Sequence, residues 1–276
     1  MQVCPLHLLN LNLWRGAMYS ANLGPIDRSS SLRVPLARVG SAVPLTSGGL
    51  SHKVSMVRKF PLFSGISDAD CATIVSLAYE RQFSKRQAMF FEGDPIKHVL
   101  LLVTGCVKVT QFGQNGGEVI LRLHGPGEII GALGLHARSD RTGRAQTLHA
   151  STVLAWEAAK FEALAERFPA LWRNSAGIAE QSLQDIEQRY REISTEKVSS
   201  RLGSQLARLS AQVGTPFEGH MEVRISRAEL AQLTGTTIFT VSRLLSQWEA
   251  RGIVSARREN VLVTNLSALM EVCKAE

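Results

Sequence analysis

The chain has 276 residues, 45% of them hydrophobic, and a formal net charge of +7. That length accommodates two compact domains with further segments, and no run reaches the roughly 18 unbroken apolar residues of a membrane helix, so a membrane is not an expected partner. Residues 1–60 hold seven basic side chains against Asp27 alone, while the rest is nearly balanced at 24 basic to 23 acidic, so any nucleic-acid reading must rest on a local pattern rather than on the sum.

Residues 1–55 are rich in Ser, Gly, Pro and Leu and nearly free of acids. They are expected to be a disordered arm or an over-long gene start, with the folded pattern opening at Met56; the same composition also fits an organellar transit peptide, whereas a secretory signal needs a charged segment before its apolar run. Residues 56–168 form the next unit. From Tyr79 to Trp156, short β-rich runs alternate with turns carrying Gly93, Gly105, Gly116, Gly117 and Gly127, where positive φ is expected. Strands of this length and spacing predict a sandwich or barrel with flanking helices.

Residues 169–194 read as one long helix. Trp172, Ala176, Ala179, Leu183, Ile186, Tyr190 and Ile193 repeat at alternating steps of four and three, a heptad seam that suits a parallel partner helix, and Ala176 and Ala179 permit close approach. Docking of that helix on its own β domain is the other reading. Residues 195–276 follow, with a helix expected from Thr195 to Ala211, capped at Ser194–Thr195, and a hinge at that junction. "VGTPFEGH" reads as a loop, "MEVRI" as a strand, and "SRAELAQLTG" as a helix with a Ser226–Glu229 capping box. Gly235 ends that helix, Thr236 or Thr237 caps the next, and "IVSARRENVLVT" closes as two strands around a polar turn.

In the second of these helices Val241, Leu244, Leu245 and Trp248 make an apolar stripe. Phe239, Ser242, Arg243 and Ser246 share the opposite face. A helix, a short turn with Gly and a second helix with a polar face predict a winged helix-turn-helix whose second helix enters the major groove of double-stranded DNA. Arg243 can donate twice to guanine, Ser242 can meet a base or a phosphate, and the Phe239 ring suits a thymine methyl. Thr236, Thr237 and the helix-start amides can hold a phosphate.

"SRAELAQLTGTTIFTVSRLLSQWEARGIV" resembles the DNA-binding helices of the CRP/FNR family of bacterial transcription regulators, and "FEGDPIKHVLLLVTGCVKV" with "LHGPGEIIGALGL" resembles that family's cyclic-nucleotide-binding jelly roll. The resemblance runs from about Phe60 to Leu266. It implies an α+β multidomain fold: an antiparallel β jelly roll, a long dimerisation helix and a C-terminal winged helix-turn-helix. It also implies a homodimer that reads a palindromic operator with half-sites about 34 Å apart, RNA polymerase as a partner, and effector control through the β domain. Phe239 stands where the family usually has a base-reading glutamate, and Ile238 where the cyclic-AMP-responsive branch has arginine.

By the same resemblance, the effector turn is Gly131-Ala132-Leu133, where cyclic-AMP binders place a glutamate at the second position, and Arg144-Ala145 replaces their Arg-Ser pair. A buried ribose hydroxyl without an acceptor costs about 1–3 kcal/mol, so cyclic AMP is disfavoured and the effector stays unknown. Arg138, Arg141 and Arg144 in "LHARSDRTGR" suit another anion or form a solvated loop. Iron–sulfur sensing needs clustered cysteines, for which Cys4 and Cys71 are too few. Haem would need histidines that no motif identifies, and His98, His124, His136 and His149 are expected to be surface or turn residues.

Cys4, Cys71, Cys106 and Cys273 lie far apart with no CxxC pair, so free thiols, a reducing cytoplasm and no metal centre are expected. No clear carboxylate pair, nucleophile elbow, phosphate loop or zinc signature supports an enzyme. The alternative to a DNA-binding regulator is a cyclic-nucleotide-fold signalling subunit that binds a protein partner.

Overall fold

The computed structural model describes residues 47–131 and 140–274. Helix α1 (Ser47–Val57) opens ahead of Met56, the expected start of the folded region. Val54 and Val57 are buried in one core with Leu62, Ile74 and Trp156, and Lys53 pairs with Glu80 at 2.6 Å, so the packed chain includes residues before Met56. After a 3-10 turn at Pro61–Phe63 comes α2 (Asp68–Ser76), whose N-cap Ser67 accepts from the Asp70 amide.

Eight strands follow: β1 (Tyr79–Phe83), β2 (Ala88–Phe90), β3 (His98–Thr104), β4 (Val107–Phe112), β5 (Glu118–His124), β6 (Ile129–Ile130), β7 (Arg144–Thr147) and β8 (Ser151–Glu157). They pair antiparallel in two four-stranded sheets, β1-β8-β3-β6 and β2-β7-β4-β5, which share a core and form the jelly roll. β3 is apolar on both faces because both are covered. Leu100 and Leu102 meet Phe90, Val107 and Val153 inside the roll, while Leu101 and Val103 join Leu154 and Trp156 under the helices. Trp156 donates its indole N–H to the Ile74 carbonyl at 2.8 Å, which ties the roll to α2. At Gly105 (φ +98°) a Cβ would lie 2.6 Å from the Ala150 carbonyl oxygen, so this corner excludes any side chain. Gly93, Gly116 and Gly127 also take positive φ, whereas Gly117 does not.

Helix α3 (Ala158–Arg167) leads into α4 (Pro169–Thr195), and a two-residue bend at Glu196 and Lys197 precedes α5 (Val198–Gln212). The expected cap at Ser194–Thr195 is not formed. Both hydroxyls donate back into α4, to the carbonyls of Tyr190 and Arg191, so Thr195 ends the long helix rather than opening the next. The bend is held elsewhere. Arg208 makes two hydrogen bonds to Glu192, at 2.6 and 2.8 Å, and Arg201 donates to the carbonyls of Ile193, Glu196 and Thr234. Those carbonyls at the ends of helices lack intrahelical partners, which is why one guanidinium can fasten α4 to the helix pair beyond it.

The remainder comprises β9 (Thr215–Phe217), β10 (His220–Val223), α6 (Arg227–Thr234), α7 (Ile238–Ala250), β11 (Val254–Ala256), β12 (Val261–Val263) and α8 (Leu266–Lys274), with the sheet ordered β11-β12-β10-β9. "VGTPFEGH" is therefore not simply a loop: it contains β9, which turns through Glu218 and Gly219, both at positive φ, and pairs with β10. Leu202, Leu206 and Leu209 of α5 pack with Val241, Leu245 and Trp248 of α7. The same core takes in Cys106, Ile120, Leu123 and Leu148 of the roll, so the winged helix rests directly on the β-roll.

Candidate nucleic-acid interface

The helix pair is set by local chemistry. Ser226 caps α6 by accepting from the Glu229 amide while Glu229 accepts from the Ser226 amide, a complete capping box. Gly235, left-handed at φ +61°, stops α6, and Thr237 caps α7 by accepting from the Thr240 amide at 3.2 Å. Val241, Leu244, Leu245 and Trp248 are buried, which fixes the rotation of α7 and turns its other face outward. Phe239 is 87% exposed; Thr237, Arg243 and Ser246 are exposed, and Thr236 and Ser242 half-buried. The predicted contact residues are thus brought together at the head of one helix, with hydroxyls, a guanidinium and a ring on a single surface. The first helical amides, at Ile238 and Phe239, have no intrahelical carbonyl to bond and can donate to a phosphate.

The β11–β12 turn, expected only to be polar, carries a concentrated positive charge. Its Arg257 and Arg258 are exposed, beside Arg224 and Lys85, and make the wing tip strongly cationic. The adjacent Arg-Arg doublet was the available signal. Glu259 accepts from Lys85 at 2.8 Å and from Arg86 at 2.9 Å, and these contacts, Lys85 first, hold its carboxyl below the usual range. The His149 ring Nε2 lies 2.9 Å from the Arg224 carbonyl. The wing is therefore tied to the roll at its tip and its base.

On α4 the apolar seam faces outward. Trp172, Ala176, Leu183, Ile186, Tyr190 and Ile193 are exposed, Tyr190 at 75%, and Ala179 is half-buried. The opposite side of the helix packs on the roll through Leu171 and Ile178. The helix thus docks on its own domain, as the other sequence reading has it, but through the face opposite the seam.

The expected effector residues divide. Ala132 and Leu133 lie outside the described residues, as do Arg138, His136 and Cys4. Gly131 and Ala145 converge on Phe90: a Cβ at Gly131 would meet that ring at 2.7 Å and Arg141 Nη1 at 2.6 Å, and Ala145 is fully buried in strand register with Phe90. Arg144, next along the strand, takes the alternate face and lies over the exposed Phe91 ring at 5.4 Å. The inward guanidinium is Arg141, which stacks on Phe90 at 4.1 Å and donates to the His98 carbonyl at 2.7 Å. Burial lowers its pKa to about 10. Of the pair expected from the motif, Ala145 thus offers no hydroxyl and Arg144 takes the outer face, while the inward guanidinium comes from Arg141, which Thr142 follows in the chain.

The histidines are not all surface residues. His124 is buried, with Nδ1 3.1 Å from Glu128 but without aligned hydrogen-bond geometry, and burial pushes its pKa down. Cys71 and Cys106 are buried free thiols raised by burial, Cys106 to about 12. Among the described residues no group of three His, Cys, Asp or Glu side chains gathers as a metal site, and no helix is long and apolar enough to cross a membrane.

Residues 80–168 match the cyclic nucleotide-binding domain family and residues 200–272 the Crp-like helix-turn-helix domain, together more than half of the chain. The chain is 28% identical to the cyclic AMP receptor protein of Thermus thermophilus over 77% of its own length and 96% of that protein. It is 27% identical to the probable transcriptional regulator flp of Lacticaseibacillus casei, over 78% and 96%. The fold matches that of FixK2 from Bradyrhizobium japonicum with a TM-score of 0.63 at 21% identity, covering 72% of this chain and 98% of that one. With a jelly roll, a long helix and a winged helix-turn-helix in this order, the chain belongs to the CRP/FNR family and is a DNA-binding transcription regulator of that type.

Proposed function

We propose that the protein works in the cytoplasm as a homodimer joined along the α4 seam, placing two α7 helices in successive major grooves of a palindromic operator and contacting RNA polymerase there. The observation that carries this reading is the pairing of an exposed Phe239 with an exposed Arg243 on a helix whose other face is fully packed. Arg243 reads guanine, Phe239 meets a thymine methyl, and Thr236, Thr237 and Ser242 hold the backbone or a base edge. An effector acts through the β-roll by favouring one pose of α4 and α5 over another. Cyclic AMP is disfavoured as that effector, because the sequence has Ala132 and Ala145 where cyclic-AMP binders carry a glutamate and a serine.

The test is a fluorescence-anisotropy titration of the full chain onto a duplex from its own upstream region, with and without saturating cyclic AMP. Arg243→Ala is expected to cost about 1–3 kcal/mol and to flatten preference at one base pair. Equal loss on every sequence refutes base reading. Binding that appears only with cyclic AMP refutes the effector reading and leaves the DNA reading intact.

A further inference from the structure

A cavity of about 710 Å³ lies between β5, α4 and α5, and neither the DNA face nor the dimer seam uses it. It is separate from the roll interior, since Phe90, Gly131, Arg141 and Ala145 are not among its lining residues. Four guanidinium groups line it from three elements, Arg122 on β5, Arg173 and Arg189 on α4 and Arg208 on α5, against the two carboxylates of Glu128 and Asp185. Their states differ. Arg208 is committed to Glu192 by two hydrogen bonds. Arg122 has Glu128 and Asp185 only at 3.8 Å each, beyond hydrogen-bond reach. Arg189 has no carboxylate within 4.0 Å among the described residues, and its one contact is a long donation, 3.4 Å, to the Asp185 carbonyl of its own helix.

Burial first, and then the charges of Arg208 and Arg122, lower the pKa of Arg189. A guanidinium withdrawn from water beside like charges, with Asp185 and Glu192 offsetting them only in part and neither in hydrogen-bond contact, is destabilised, and an anion removes that penalty. Arginine presents a planar fork of donors that matches a phosphate. Beside this charge the wall turns apolar at Ile178 and Leu123.

We propose that this cavity is an effector site for a phosphate-bearing small molecule, with the anion held by Arg122 and Arg189 and any organic part lying against Ile178 and Leu123. Its walls belong to the roll, the dimer helix and the first helix of the DNA-binding region, so an occupant ties all three together. The site stands on the cavity alone and does not depend on which bases α7 reads.

Calorimetric titration of the full chain with sodium pyrophosphate and, separately, with adenosine 5′-monophosphate tests it without any DNA present. Saturable binding of one equivalent per chain by at least one probe is expected, and Arg189→Gln and Arg122→Gln should each weaken it by about tenfold or more. Tighter binding of the nucleotide assigns an occupant with an organic part; tighter binding of pyrophosphate assigns bare phosphate chemistry. Each variant is read after its cooperative unfolding is verified, and because the two arginines sit on different elements, one suffices if the other does not fold. No saturable heat from either probe overturns the site. So does binding that survives both substitutions, or binding that is lost in Arg144→Gln but kept in the cavity variants.

Discussion

Phe239 leaves a whole aromatic ring in water at the head of α7, where burial would have been favourable, and Arg243 stands one turn further on. Neither side chain is needed for the fold. Phe239→Ala should therefore change stability by less than about 0.5 kcal/mol while relaxing the base preference at one operator position, which melting curves and competition binding would resolve separately. Ser226 is the opposite case: Ser226→Ala removes a capping box and should cost about 1 kcal/mol in chemical denaturation. The exposure of the one and the capping by the other were legible because both are set within one or two helical turns. The roll interior was not. Whether Arg141 or Arg144 turns inward depends on the register of β7, where a shift of one residue exchanges the faces, and the motif by itself fixes no register.

Among the elements, the extent of α4 was readable almost to the residue because its seam repeats at alternating steps of four and three over its whole length. The heptad seam stays exposed while Leu171 and Ile178 anchor the helix on the roll. Leu183→Glu with Ile186→Glu should give a folded monomer in sedimentation velocity with its helix content kept, since neither side chain packs within the protomer; an unchanged dimer would place the interface elsewhere. The junction after α4 was misread. Ser194 and Thr195 have the composition of a cap, but their hydroxyls satisfy carbonyls four residues back, and the bend is fixed instead by Arg201 and by the Arg208–Glu192 pair. Those partners lie up to 33 residues apart, so no local pattern announces them. β9 escaped notice for a similar reason: its three residues are exposed and include a proline, and only pairing with β10 makes them a strand.

At the scale of the whole molecule, the winged helix is held to the roll by contacts no sequence pattern encodes, such as Lys85 and Arg86 to Glu259 across 174 and 173 residues. His149 belongs to this contact surface and His124 to the buried edge beside it. Burial lowers the pKa of His124, His149 and His98. An unfolded imidazole titrates near about 6.5; with the folded values lower, the unfolded chain takes up protons first as pH falls. Stability is then fully present above that range and declines on acidification until the folded imidazoles also protonate. The melting temperature should drop between about pH 7.5 and 5.5, and His124→Gln should flatten the slope; a flat wild-type profile would contradict this. The lowered carboxylates, including Glu128, act in a separate window below their ordinary range.

The central claim is that two copies of this chain read DNA through α7. Selection of binding duplexes from a random pool by the full-length protein tests it most directly. The enriched sequences should form an inverted repeat with half-site centres about 34 Å apart, one helical turn, with a guanine in each half that loses its enrichment when Arg243→Ala is used. A pool that shows no enrichment, or an enriched site without two-fold symmetry, would contradict it.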